Sequence, residues 1–499
     1  LYNKKLKKSV TMEKIVKTIP KQYHYLSEVI DKLPSHVLFN KGITGCGGTT
    51  VELQAKRDSI ILCPTVSLVK NKEKFGFGIY GSVKTIDILS YVNNSSIPYK
   101  KIIATYDSLP KLISLIPDYS KYFLLIDEYH LLFNDYSFRM KPIRYILNNY
   151  TKFKDWCFMT ATPFDKEYKL KELENINTLK YNWEIATPVD IKIYETYFVQ
   201  KKLLELIDYF INKGRNCHIF INSVKTINAL KKHLSYPYRI VCSEYNKKVK
   251  NDGINSPVKQ VNFYTSCAFE GADIYDKNGV TIVVCDSNIS TTMMDISTKM
   301  PQICGRLRDS KYKNECYLIL NEKRHRYVKT PKEFNDEVLD NVESAKSKEI
   351  QFNNESDRDK NTDLKLFGKA PEAFMSLYIN SNCENTALLY DANLKDIDRY
   401  NYDVFNKIYA NSFSVISNLN KNNFQVIEHR CLDKPETKST PWITIKCGSY
   451  TYEQLKDKYE SILLADGITW TNRVIKKYFP ECTIKCKKIK GEVIKMYTF

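Results

Sequence analysis

The chain has 499 residues, too long for one ordinary core and long enough for about three domains. Its net charge of +19 favours a polyanionic partner such as nucleic acid. No apolar run reaches membrane-spanning length, and the basic start (Lys4, Lys5, Lys7, Lys8) lacks the apolar segment of a secretory signal, so a soluble, cytoplasmic protein with no membrane partner is expected. The 14 cysteines form no CxxC pair; Cys482 and Cys486 come nearest to a ligand spacing without a second pair, which favours free thiols in a reducing compartment.

In chain order, residues 1–20 are expected to form a basic tail, and a helix is expected over Tyr25 to Leu33, stopped by Pro34. The apolar run Val37-Leu38-Phe39 then leads into Lys41-Gly42-Ile43-Thr44-Gly45-Cys46-Gly47-Gly48-Thr49-Thr50. Strand, glycine-rich loop and helix in that order make a phosphate cradle, in which backbone N–H groups converge on an anion. The spacing fits G-x-x-x-x-G-K-[ST] at Gly42, Gly47 and Thr49, but Gly48 stands where the phosphate-binding lysine belongs.

Further apolar runs follow at Ser59–Cys63, Lys101–Thr105, Tyr122–Ile126 and Trp156–Met159. Runs that are apolar on both faces predict central parallel strands covered by helices, an α/β sheet with its ligands at the carboxyl ends of the strands. Asp127 and Glu128 follow one run directly: one carboxylate can hold Mg²⁺ while the other orients and deprotonates an attacking water. Thr160-Ala161-Thr162 follows another. A second α/β series begins near Val189, carrying Ile221-Asn222-Ser223, Thr265, Glu270-Gly271-Ala272-Asp273 and Gln302-Ile303-Cys304-Gly305-Arg306-Leu307-Arg308, before a last strand at Cys316–Leu320.

This ordered set resembles the superfamily 2 helicases and translocases of the DExH kind, over about residues 35–320. Gly42 to Thr50 resembles motif I, Cys63-Pro64-Thr65 motif Ia, Asp127 to His130 motif II, Thr160 to Thr162 motif III, Ile221 to Ser223 motif IV, Glu270 to Asp273 motif V, and Gln302 to Arg308 motif VI. The ending G-R-x-R is also similar to bacteriophage helicase-like proteins and viral origin-binding helicases. The resemblance implies two tandem RecA-like domains with parallel sheets, at 21–187 and 188–322, and ATP and Mg²⁺ in the cleft between them. It implies nucleotide contacts at Gly42, Thr44, Gly45, Gly47, Gly48, Thr49, Thr50 and Asp273, with Thr49 and Asp127 on the metal and Glu128 activating water. His130 and Gln302 would link the lobes, Arg306 and Arg308 would form an arginine-finger pair, and Thr65, Asn222 and Thr265 would track a nucleic-acid strand. A cation compensating for Gly48 is expected from Lys41, a motif VI arginine or an accessory-domain lysine.

Beyond residue 322, an accessory helical region is expected at 323–440, with a helix, a polar linker reaching Lys360, and further helices at Ala373–Tyr378 and Asp396–Ile416. At 441–499, helices over Thr451–Leu464 and Thr469–Tyr478 followed by a hairpin across Lys490-Gly491 match a winged-helix module, with Arg473, Lys476 and Lys477 on the recognition helix and Lys487 and Lys488 on the wing. The function implied is an ATP-dependent helicase or translocase in phage or mobile-element replication, alongside replication proteins, on single-stranded or duplex DNA in preference to RNA. The alternative is a nucleic-acid-binding scaffold with a non-hydrolysing site.

Overall fold

The computed structural model describes residues 14–164, 168–243, 246–271, 273–321, 329–382, 384–432, 449–455, 483–489 and 492–498. Within residues 1–430, two parallel sheets follow one another along the chain. The first contains β1 (Lys14–Ile19), β2 (Val37–Asn40), β3 (Ser59–Cys63), β4 (Phe77–Ile79), β5 (Lys101–Thr105), β6 (Phe123–Asp127), β7 (Asp155–Thr160) and β8 (Thr178–Trp183), in the spatial order β1-β8-β2-β7-β6-β3-β5-β4. Every residue of β3, β5 and β6 is buried, as expected where helices cover both faces of a parallel sheet. The second sheet contains β9 (Val189–Glu195), β10 (Asn216–Phe220), β11 (Tyr238–Val241), β12 (Val261–Tyr264), β13 (Gly279–Asp286) and β14 (Glu315–Asn321), ordered β11-β12-β10-β13-β14-β9, with Phe424–Cys431 beside β9. These are two tandem RecA-like lobes.

Strand order determines the placement of the motifs. β2, β7, β6 and β3 are neighbours, so motifs I, III, II and Ia, far apart in sequence, emerge side by side from one sheet edge. In the second lobe β10 and β12 are neighbours, bringing Asn222 beside the loop after Thr265.

Four expectations need correction. The basic tail gives way at Lys14 to β1, whose Ile19 is buried and which pairs in parallel with β8. The helix expected over Tyr25–Leu33 is one 3₁₀ turn, Leu26–Glu28, because the Glu28 carboxylate accepts from the backbone N–H groups of His24 and Tyr25 (2.6 and 2.7 Å) while Leu26 N donates to Cys46 O in the glycine loop (2.7 Å). The polar linker before Lys360 is helical over Asp357–Lys369: Ser356 caps it by accepting from Asp359 N, and Lys348 on the preceding helix pairs with Asp363 at 2.5 Å. The helix expected over Asp396–Ile416 starts at Ala392 and breaks near Tyr409, with a separate helix at Ser412–Lys421.

The accessory region packs against both lobes. Tyr136 of the first lobe donates to Asp391 (2.8 Å) and Arg144 to Ser381 O (2.7 Å). Tyr400 and Tyr409 donate to Asp295 Oδ2 and Met294 O of the second lobe (2.8 and 2.7 Å). One continuous apolar core, including Phe133, Met294 and Tyr400, runs through all three parts. No described helix is long and apolar enough to cross a membrane.

Residues 431–499 are a separate unit. Thr483–Ile489 pairs antiparallel with Glu492–Thr498, and Ser449–Thr451 adds a third strand that sequence reasoning did not foresee. Lys487 and Lys488 lie on the first hairpin strand, whereas Arg473, Lys476 and Lys477 fall outside the described residues.

Candidate active site

The glycine loop runs from the end of β2 to the short helix Gly48–Gln54. Gly42, Gly45 and Gly47 adopt φ of 86°, 77° and 80°, which L side chains rarely adopt. At Gly42 a Cβ would also strike the Tyr181 carbonyl and lie 2.7 Å from the Trp183 ring, so only glycine turns the chain here. Trp183 Nε1 donates to Lys41 O at 2.7 Å, and Lys41 N to Thr160 O at 2.9 Å, fixing the residue that precedes the turn.

Thr49 Oγ1 donates to Asp127 Oδ2 at 2.6 Å. Asp127 Oδ1 accepts from Glu128 N at 3.0 Å, and Glu128 itself has a φ of 52°, a strained left-handed backbone that turns the chain just after β6. The Glu128 carboxylate is buried and fully engaged. Oε1 accepts from Lys41 Nζ (2.9 Å), and Oε2 from Thr160 Oγ1 (2.9 Å) and Gln302 Nε2 (3.1 Å). Burial raises its pKa, but Lys41, then His130 and Arg306, outweigh that and hold it at about 2. The Lys41 ammonium is correspondingly held above the ordinary lysine range: burial disfavours its charge, and Glu128 and Asp127 more than restore it. Burial lowers the His130 pKa to about 4, leaving a neutral imidazole near pH 7.

The second lobe reaches this cluster directly. Gln302 donates both to Glu128 and to Thr162 Oγ1 (3.1 Å). Arg308 lies on the glycine loop: a Cβ on Gly45 would clash with its guanidinium, with Cζ at 3.1 Å. Gly305 packs against Thr44 and Gly271 against Leu68, each so closely that a Cβ would overlap the other lobe, and Asn71 donates to Gly271 O at 3.1 Å.

Of the other predicted residues, His130 and Arg306 take parts different from those expected. His130 does not span the lobes; its Nδ1 meets Thr160 Oγ1 at 2.8 Å in its own lobe, 3.4 Å from Glu128 Oε2, and Nε2 has no partner among the described residues. Arg306 is buried and donates to Gln302 O and Oε1 (2.7 and 2.6 Å), so it orients the glutamine that crosses the cleft. Asp273 ion-pairs with Arg308 at 2.6 Å. Thr50 follows Thr49 on the short helix and is half-buried. Thr65 caps Val66–Lys72 by accepting from Leu68 N (3.3 Å). Asn222 bridges Ser266 N and Thr291 O (3.2 and 3.0 Å), and Thr265 is buried with its hydroxyl against Cys267, so direct strand contact from the Thr265 side chain is not what this arrangement presents.

Sequence reasoning missed Tyr106 and gave Glu270 no role beyond its place in motif V. Tyr106, buried after β5, donates to Asp127 O at 2.6 Å and braces the motif II turn. Glu270 is buried with Oε1 unpartnered, and burial raises its pKa to about 7, with Asp135 and Glu128 pushing the same way against Lys299 and Arg306. A carboxyl raised from 4.5 to about 7 contributes stability that is fully present below its unfolded pKa and lost as pH rises through about 7. Between about pH 5 and pH 8 this costs on the order of 3 kcal/mol. Glu270→Gln should therefore raise the unfolding temperature at pH 8 and leave it nearly unchanged at pH 5; equal shifts at both would refute the assignment.

No family model matches the chain, and no curated protein matches it. Solved structures similar to it include S. cerevisiae Dbp5 bound to RNA and ADP BeF3, at 16% identity over 58% of this chain and 80% of that one (TM-score 0.41). Others are Mss116p bound to ssRNA and AMP-PNP (16%, 81% and 91%, TM-score 0.42) and the RNA-helicase Prp28 from Chaetomium thermophilum bound to ADP (16%, 62% and 78%, TM-score 0.21).

Proposed function

We propose that the chain is an ATP hydrolase that uses closure of its two RecA-like lobes to move along a nucleic-acid strand. The observation that carries this is the meeting of Gln302 and Arg308 from one lobe with Glu128, Thr162 and the Gly45 loop of the other. In this proposal Glu128 takes the proton from the attacking water, with Thr160 and Gln302 holding its second oxygen in place. Neutral His130 fixes Thr160. Arg308 meets the charge that develops on the transferred phosphoryl group. Thr49 and Asp127 offer a hydroxyl and a carboxylate, oxygen donors that suit Mg²⁺, and the ion would neutralise phosphate charge there.

Net charge supplies the attraction to a polyanion, and loops around Thr65, Asn222 and Ser266 would contact its backbone. A winged-helix module at 441–499 is the second candidate contact, and the similarity of the G-R-x-R ending to bacteriophage and viral origin-binding helicases supports a role on DNA. The test is strand affinity at fixed salt without nucleotide, with Mg-ATP and with Mg-ADP, on single-stranded DNA and RNA of equal length. Nucleotide-dependent affinity with displacement of a paired strand is the expected result for a helicase. Affinity blind to nucleotide on both strands would favour the scaffold alternative.

A further inference from the structure

A phosphate cradle needs a cation, and its usual position is occupied by Gly48. The geometry points to Lys41, the residue immediately before the glycine loop, as the side chain that supplies the phosphate-binding charge. This assignment rests on the nucleotide site proposed above.

Two independent observations carry it. The first is packing. A Cβ at Gly48 would meet Met159 Sδ at 2.7 Å and Lys41 Cδ at 3.1 Å. The Lys41 stem thus lies where a side chain at residue 48 would start, so the lysine enters the cradle from the strand end and glycine at 48 leaves room for it. The second is charge. Lys41 Nζ is 2.9 Å from Glu128 Oε1 and 3.9 Å from Asp127 Oδ1, with only 7% of its side chain exposed. Among the described residues, no other Lys or Arg forms an ion pair with either motif II carboxylate. The motif VI arginines have other carboxylate or amide partners, Arg306 on Gln302 and Arg308, beside Gly45, on Asp273, and Lys329, Lys395 and Lys407 of the accessory region pair with Glu337, Asp396 and Asp403.

The pairing also couples binding to catalysis. While Lys41 Nζ occupies Glu128 Oε1 at 2.9 Å, that oxygen is not open to accept a proton from water. Phosphate oxygens compete for the same ammonium, so nucleotide that draws Lys41 away frees Glu128 for its proton. One lysine then serves as ligand and as a restraint on the base.

Removing Lys41 alone would leave buried carboxylates unpaired and endanger folding. Mg-ATP affinity is therefore measured by calorimetry on the full chain carrying Glu128→Gln, with and without Lys41→Met, a change that keeps the stem against Met159. The expected result is a roughly 10- to 100-fold weaker affinity, the scale of one charge-assisted hydrogen bond, in protein that still unfolds in one cooperative transition. Gly48→Lys combined with Lys41→Ala, in the same Glu128→Gln background, should regain part of that loss: the vacated Lys41 stem gives room on one side, and the Met159 thioether, 2.7 Å from the new Cβ, has to turn aside on the other. Equal affinity with and without Lys41→Met would overturn the assignment while leaving the nucleotide site standing. If the Glu128→Gln chain takes up no Mg-ATP at all, the nucleotide site itself is refuted and the assignment falls with it.

Discussion

Glu128→Gln should abolish phosphate release while leaving Mg-ATP bound. The substitution keeps the shape of a buried side chain that contacts Lys41, Thr160 and Gln302, and it removes the ability to accept a proton from water. A positioned general base contributes about 10²–10⁴-fold to rate, so turnover should fall by at least that range. Because the phosphates are held by the loop, Thr49 and Lys41, affinity should not fall with it. A steady-state phosphate assay alongside nucleotide binding separates the two effects. Turnover at the native rate would place the base elsewhere.

Arg308→Ala should also cost heavily, a loss of about 10³–10⁵ in kcat with little change in KM, as for other charges that act mainly on the transition state of phosphoryl transfer. Its guanidinium lies against Gly45 and is held there by Asp273, on a side chain 28% exposed and able to reorient. Arg306→Ala should behave differently. Arg306 grips Gln302, which contacts Glu128 and Thr162, so its loss should disturb closure and move kcat and KM together. The two kinetic profiles, measured side by side, distinguish a finger from a positioning residue. Identical profiles would remove that distinction.

Much of the fold was legible because its strands are apolar on both faces: Ser59–Cys63, Lys101–Thr105 and the run through Ile126 are buried throughout. The motifs were legible because each follows such a run at the carboxyl end, where parallel sheets place their ligands. Strand order was not legible. Nothing local in the sequence says that β7 lies between β2 and β6, yet that order brings Thr160 to the Glu128 carboxylate. Arg306 and Arg308 looked equivalent in sequence, and only their partners separate an inward brace from an arginine over the loop. The choice of Lys41 over its rivals needed the space at Gly48, a property of the Met159 side chain from a strand more than a hundred residues away. The turn at Leu26–Glu28 was missed because the Glu28 carboxylate closes it locally and Leu26 is tethered to the glycine loop, which helical periodicity does not register. Tyr106 carried no motif at all; a buried phenol bracing a main-chain carbonyl has no sequence signature beyond its place after β5.

The most direct test of the whole account is phosphate release from Mg-ATP by the native chain, with and without a single strand, using Glu128→Gln as the blank. Release that a strand stimulates, and that the blank lacks, is the predicted result: a two-lobed motor whose cradle works without lysine at residue 48. No release above the blank from well-folded protein, with DNA or RNA, would contradict it and leave a nucleic-acid-binding scaffold built on the same lobes.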